Sequence, residues 1–219
     1  MATRALLAEL ARDFQLQHGG TVQFEAVGGV DAARRVLAGE VFDLLVLAAD
    51  AVARLAASGQ ALADSVTPLV HSDVAVAVRA GASRPDIGSE EALRQAVLAA
   101  HTVGYSTGPS GVALTALFAR WGITEALQAR LVLAPAGVPV GTLVARGEVE
   151  LGFQQLSELM HLEGITVLGS MPPAVQITTT FSAALCRSST QPEAARKLLA
   201  FMRSPATAET KRRHGMTAA

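Results

Sequence analysis

The chain has 219 residues, of which 50% are hydrophobic and 17% charged, and its formal net charge is −1. This balance excludes a disordered chain, and the scattered basic residues argue against nucleic acid as the main partner. One cysteine, Cys186, excludes an internal disulfide, and the five histidines show no metal-binding spacing. No apolar run reaches the ~20 residues of a membrane span, so no membrane insertion is expected. No signal-peptide pattern opens the chain.

Residues 4–17 read as an amphipathic helix carrying Leu6, Leu7, Leu10 and Phe14 on one side, closed by Gly19-Gly20. Thr21 to Val27 is β-branched and aromatic enough for a strand. The Gly28-Gly29 turn and a helix over 32–38 follow. Phe42 to Ala48 is a near-continuous apolar run, the mark of a strand covered on both faces, and Asp50 starts another helix. The αβαβα order of the first 60 residues implies a parallel sheet between helices, with ligands bound beyond the carboxyl ends of its strands.

Next come a strand over 73–80, a helix capped by Ser89 and ending near Ala100, and the stretch from Thr102 to Trp121. That stretch is a strand (103–105), a loop Ser106-Thr107-Gly108-Pro109-Ser110-Gly111, and a helix. Short elements over 126–130 and 131–133 lead to the turn Pro135-Ala136-Gly137-Val138-Pro139 and a helix ending at Arg146-Gly147. A buried strand over 149–153 stops at Gln154-Gln155. Strands over 165–168 and 176–186, a helix over 189–202 and a last helix reaching His214 complete the chain. The basic run Lys211-Arg212-Arg213-His214 fits the last turn of a helix and reads as structural. Cys186 reads as a buried, inert thiol.

Three strand–turn–helix units therefore present uncommitted backbone N–H groups at helix starts, a device suited to anions. No Lys or Arg lies between His101 and Phe118, so an anion at the 106–111 loop would be held by neutral donors. Each residue also has a plainer use. Ser106 and Ser110 serve equally as helix caps, Gly28 and Gly29 as positive-φ positions, and Gln154 and Gln155 as solvated amides. Asp31, Glu158 and His161 border the turns as helix-terminal or surface residues.

The segments GGVDAARRVLAGEVFDLLVLAAD, SDVAVAVRAGA, GYSTGPSGVALTALFARWGI, VPVGTLVARGEVELGFQQLSEL and PPAVQITTTFSAAL…PEAARKLLAFMRSPATAE cover nearly the whole chain. Their order resembles the type II periplasmic solute-binding proteins, in the molybdate-binding-like branch of ABC-transporter receptors. The resemblance implies an α/β fold of two lobes, with mixed or parallel sheets and a central cleft. Lobe 1 is expected over 1–80 and 166–219, and an inserted lobe 2 over 81–165. Position by position, it puts the ligand at Gly28, Gly29, Ser110, Gly111, Val138 and Gln155; the residue pattern adds Ser106, Thr107 and Gln154. No metal, cofactor or catalytic residue is implied.

The chain departs from that family in two respects. Members begin with a strand and a Ser-rich turn ahead of the first helix, whereas this sequence opens at the helix, so a truncated start and a missing first strand are expected. Gly28-Gly29 stands where oxyanion receptors place Ser, and Gln155 where they tend to carry Tyr; this suits an anion larger than, or different from, molybdate. Two functions follow from the resemblance. One is a monomeric receptor that closes on a small oxyanion or a di- or tricarboxylate and delivers it to an ABC permease, with a periplasmic location, or a cytoplasmic one if no leader exists. The other is an enzyme like aconitate isomerase, which some relatives in this branch resemble and whose double-bond shift needs a proton-transfer base.

Overall fold

The computed structural model describes residues 1–135 and 137–219; Ala136, inside the expected 135–139 turn, lies outside the described residues. In chain order the elements are α1 (Arg4–His18), α2 (Gly29–Leu37), β1 (Leu44–Ala48), α3 (Ala49–Ala57), β2 (Thr67–Arg79), α4 (Glu90–Ala99), β3 (Val103–Tyr105) and α5 (Pro109–Arg120). They continue as α6 (Thr124–Leu127), β4 (Leu131–Leu133), α7 (Val140–Arg146), β5 (Leu151–Gln155), α8 (Leu156–Leu159), β6 (Ile165–Ser170), β7 (Thr178–Leu185), α9 (Pro192–Arg203), α10 (Ala208–Arg213) and β8 (Met216–Ala218). The chain divides into two compact units, one of Met1–Ser72 with Thr179–Ala219 and one of Asp73–Thr178. Strand β2 belongs to both: residues 70–72 pair with β8, and residues 74–79 pair with β5 and β6.

In the first unit β1 pairs antiparallel with β7, in the register Leu44↔Leu185 to Ala48↔Phe181. Side chains alternate across this pair. Leu44 and Val46 join Leu6, Leu10, Leu198 and Met202 of α1 and α9 on one face, while Leu45 and Leu47 join Val36, Val52 and Leu55 of α2 and α3 on the other. Helix α9 buries Ala195, Leu198, Leu199 and Met202, a 3.6-residue stripe, and starts at Pro192, where the missing N–H costs nothing.

Two expectations fail in this unit. Residues 21–27 form no strand. They keep the alternation, with Val22 and Phe24 half-buried against the α1–α9 core and Thr21, Gln23 and Glu25 exposed, yet no neighbouring strand offers them a ladder. The Val22 N–H donates to the Gln15 side chain instead. The parallel sheet expected here is likewise replaced by the antiparallel β1–β7 pair. Strand β8 was not anticipated; it has three residues, too few for a periodic signal.

In the second unit β3 lies parallel to both β4 and β5, while β2 runs antiparallel to β5 and β6. The alternating Val74-Ala75-Val76-Ala77-Val78 of β2 gives the two faces different bulk. The valines pack with Phe153, Leu114, Phe118 and Leu93 of β5, α5 and α4. The alanines share the opposite face with Gly152 and Gly104, which stand across from one another in β5 and β3. A Cβ on Gly152 would sit 2.5 Å from Val144, and one on Gly104 2.7 Å from Val149 and 3.0 Å from Val140. This face is therefore flat, and α7 lies directly on it. Helix α4 is capped as its sequence suggests, the Ala92 N–H donating to Ser89 Oγ at 3.1 Å.

Cys186 is 1% exposed at the end of β7, and burial first, then the nearby Asp43 carboxylate, pushes its thiol up to about 11. At pH 8 a disulfide-exchange reagent is expected to label the native chain far more slowly than the chain in denaturant. Equal labelling rates would show that this strand end opens freely.

Candidate functional site

The 106–111 loop ends β3 and opens α5. Helix α5 starts without a side-chain cap: Gly108 holds the cap position, and Pro109 carries no N–H. The Gly111 N–H already donates to the Gly108 carbonyl at 3.0 Å, as does the Val112 N–H at 3.2 Å. Ser110 is thus the first-turn residue whose N–H is uncommitted, and its hydroxyl lies beside it. Among the described residues, no hydrogen bond engages the hydroxyls of Ser106, Thr107 or Ser110. Ser110 is buried, Ser106 half-buried and Thr107 exposed. The capping role that the sequence allowed for Ser106 and Ser110 is not used.

Gly111 has a different reason to be glycine than ligand approach. A Cβ there would stand 1.8 Å from the Ser106 carbonyl oxygen and 3.2 Å from the Tyr105 ring. The helix start is folded back onto its own loop, which fixes where the Ser110 donors point. Tyr105, the sole tyrosine of the chain, ends β3 beside this turn, and among the described residues no hydrogen bond engages its phenol. The sequence reading passed over it as an ordinary strand residue; a polar-tipped aromatic at the carboxyl end of a strand was the available signal.

The two amides ending β5 are both buried, at 3% exposed for Gln154 and 4% for Gln155, so the solvated alternative is excluded. They face opposite sides of the sheet. Gln155 stands across from Val74, on the face covered by α4 and α5. Gln154 stands across from Ala75, on the α7 side, where its Oε1 accepts from the Gly141 N–H at 3.4 Å. Gln154 also hydrogen-bonds Glu158, whose carboxyl burial holds above the usual carboxylate range despite that bond. The Glu158 link was missed at the sequence level, although Gln154 and Glu158 are four residues apart. The Val138 N–H donates to Pro135 at 3.0 Å within its own turn, and Val138 packs on the α7 core. The second unit therefore groups Ser106, Thr107, Ser110, Gly111 and Gln155 with the α5 face, and sets Gln154 and Val138 with α7.

In the first unit Gly28 and Gly29 begin α2, again without a side-chain cap. Neither has a positive φ, and a Cβ would be tolerated at both, 3.6 Å from the Asp31 carboxylate at Gly28 and 3.9 Å from Leu47 at Gly29. The backbone-strain explanation for these glycines is thereby ruled out. Gly29 lies against the end of β1, next to the uncapped start of α3 at Ala48-Ala49, a second helix start that the sequence reading did not single out. Asp31, in the first turn of α2, pairs with Arg34 at 2.5 Å. Among the described residues no group of three or more His, Cys, Asp or Glu side chains could hold a metal ion, and no helix is long and apolar enough to cross a membrane.

The comparisons agree with this architecture. A family model described as bacterial extracellular solute-binding protein matches residues 1–217. The aconitate isomerase of a Pseudomonas species is 42% identical over 171 residues, covering 78% of this chain and 65% of that enzyme, so the matched region spans about two thirds of the relative's length. The periplasmic molybdate-binding protein of Azotobacter vinelandii superposes with a TM-score of 0.80 at 21% identity, covering 99% of this chain and 95% of that one. PEB3 of Campylobacter jejuni, bound to L-phospholactate, superposes at 0.77 with 10% identity, covering 99% and 96%. Both superpositions show the type II periplasmic binding protein fold.

Gly111→Ala is expected to destabilise the chain by about 1–3 kcal/mol, because the added carbon meets a backbone carbonyl that must move. Ser110→Ala, which breaks no hydrogen bond within the protein, should stay within ~0.5 kcal/mol of the parent. Urea unfolding of the two variants separates these outcomes; equal stabilities would mean the loop does not hold the folded-back geometry.

Proposed function

The chain belongs to the bacterial extracellular solute-binding family, and from that premise we propose that its solute is a small anion, an oxyanion or a di- or tricarboxylate, captured for an ABC-type permease on the periplasmic side. One observation carries this reading: the uncapped start of α5 bears an uncommitted Ser110 N–H and three hydroxyls that, among the described residues, have no partner, and no Lys or Arg lies between His101 and Phe118. An anion at such a helix start is stabilised by the aligned N–H groups and the helix dipole. Hydroxyls replace its water shell without placing a fixed counter-charge. Gln155 and Tyr105 add neutral donors on the same side of the second unit. In the first unit, the α2 start at Gly28-Gly29 is proposed as a further ligand-contacting element, its glycines leaving the backbone N–H groups open to approach.

A second reading is favoured by the 42% identity to an aconitate isomerase. It makes the solute a tricarboxylate and adds a proton transfer between two carbons of it. That step needs a carboxylate base whose proton affinity is raised towards neutrality. Glu158 is the carboxyl of the second unit with that property, and Gln154 orients it.

Calorimetric titration against citrate, cis- and trans-aconitate, molybdate and sulfate tests both readings. Ser110→Ala is expected to weaken binding of the preferred anion by about 0.5–1.5 kcal/mol, the worth of one neutral hydrogen bond. Added inert salt should weaken it little, because no fixed cation takes part. Unchanged affinity in the variant would place the anion elsewhere. Interconversion of the aconitate isomers that is lost in Glu158→Gln, with binding retained, would establish the isomerase reading; binding without turnover would leave the receptor.

A further inference from the structure

The carboxyl ends of β3 and β4 set an apolar surface beside the donors of the 106–111 loop. Tyr105 and Leu133 are register partners in the parallel β3–β4 pair, so their side chains leave the sheet on the same face. Two residues earlier, Val103 and Leu131 take that face into the core beneath α4 and α5. The Ala134 N–H donates to the Tyr105 carbonyl at 2.9 Å, which carries the pairing one residue past Leu133. The two strand ends are therefore held together.

Leu133 is 50% exposed and, among the described residues, is the one large apolar side chain of a strand that stands exposed. Tyr105 is half-buried, and its ring borders the first turn of α5, where a Cβ on Gly111 would stand 3.2 Å from it. The ring thus has the turn that bears Ser110 on one side and Leu133 on the other. Ser110 is 7% exposed, and its hydroxyl has no partner among the described residues. From Thr102 to Ala119 and from Leu131 to Ala145 the sequence contains no Asp, Glu, Lys, Arg or His. A leucine exposed by itself needs no explanation. This one extends an aromatic wall that begins at uncommitted donors, in a sector without charged side chains.

On the premise that the start of α5 holds the anion, we propose that the solute is an organic carboxylate whose hydrocarbon part lies on Tyr105 and Leu133. This pair then selects such carboxylates over tetrahedral oxyanions. The carboxylate takes the Ser110 N–H and the neighbouring hydroxyls, and the carbon chain runs towards β4, the outer strand of the sheet. An inorganic oxyanion presents hydrogen-bond acceptors on every side and gains nothing from an apolar wall. A carbon skeleton covers that wall, with about a fourfold gain in affinity for each methylene fully removed from water.

The test uses the full 219-residue chain and calorimetric titration with sulfate, molybdate, malonate, ethylmalonate and butylmalonate. Affinity is expected to rise about two- to fourfold for each methylene added between ethylmalonate and butylmalonate. Both inorganic anions should bind more weakly than butylmalonate. Leu133→Ser should remove the rise, and Leu133→Met, which keeps apolar area of similar size, should retain it. The position is exposed, so both variants are expected to keep the parent Tm. A flat series in the parent chain, a rise that survives Leu133→Ser, or tighter binding of sulfate or molybdate would each overturn the inference. Ser110→Ala keeps such a failure distinct from failure of the anion site. Affinities that all weaken in that variant, with no effect of chain length, would leave the anion site standing and remove its apolar part. Affinities that all stay unchanged would remove the site, and the inference with it.

Discussion

The flat face of the second unit's sheet is the constraint on which the neighbouring structure depends. Ala75, Ala77, Gly104 and Gly152 leave no side-chain bulk there, and Val140 and Val144 of α7 fill the space that a Cβ would need. Because interiors are packed to crystal-like density, such a face admits one helix position and few others. Gly141 repeats the device on the outer side of α7, where an added Cβ would stand 2.5 Å from Leu162 and 2.9 Å from Leu159. Helix α7 is thereby fixed between two layers, and its start is set at hydrogen-bonding distance from Gln154. The Val side of the same strand carries the larger core with Phe118 and Phe153, against which α5 is seated.

This division explains why adjacent amides take different work. Gln154 falls on the flat face and is used to tie α7 to Glu158, which makes it a positioning residue for that carboxyl. Gln155 falls on the α5 face, together with the hydroxyl-rich turn. A buried amide has several donors and acceptors to satisfy, and leaving one unmade costs about 1–3 kcal/mol. Two consecutive buried glutamines therefore require polar partners on both faces of the strand end.

Much of the fold was legible because its elements obey simple periods. The apolar side of α1, the Ser89 cap of α4 and the strand over 73–80 were each legible in the sequence. Residues 21–27 have the composition and alternation of a strand and still form none, because a strand needs a neighbour as well as a propensity. At the candidate site, the loop at 106–111 was visible as strand, turn and helix, but the job of each residue was not. Gly111 was expected at the ligand, and the structure shows its missing side chain making room for the Ser106 carbonyl. The opposed directions of Gln154 and Gln155 follow from the two-residue period of a strand, which the reading of them as a pair overlooked.

An anion site without a fixed cation depends on how many neutral donors can be aimed at one place and on how little negative charge stands near them. The α5 start meets both conditions: its first turn contains no acid, and its donors are held by the contact between Gly111 and the Ser106 carbonyl. The α2 start meets only the first in part. Its donors are open, but Asp31 occupies the first turn, and the Arg34 guanidinium that offsets it is itself exposed. An exposed pair of this kind is screened by water and salt, so its net field at the helix start is small. Of the two helix starts, that of α5 is therefore the better organised for the proposed anion, and that of α2 would offer backbone donors only while Asp31 stays turned towards Arg34.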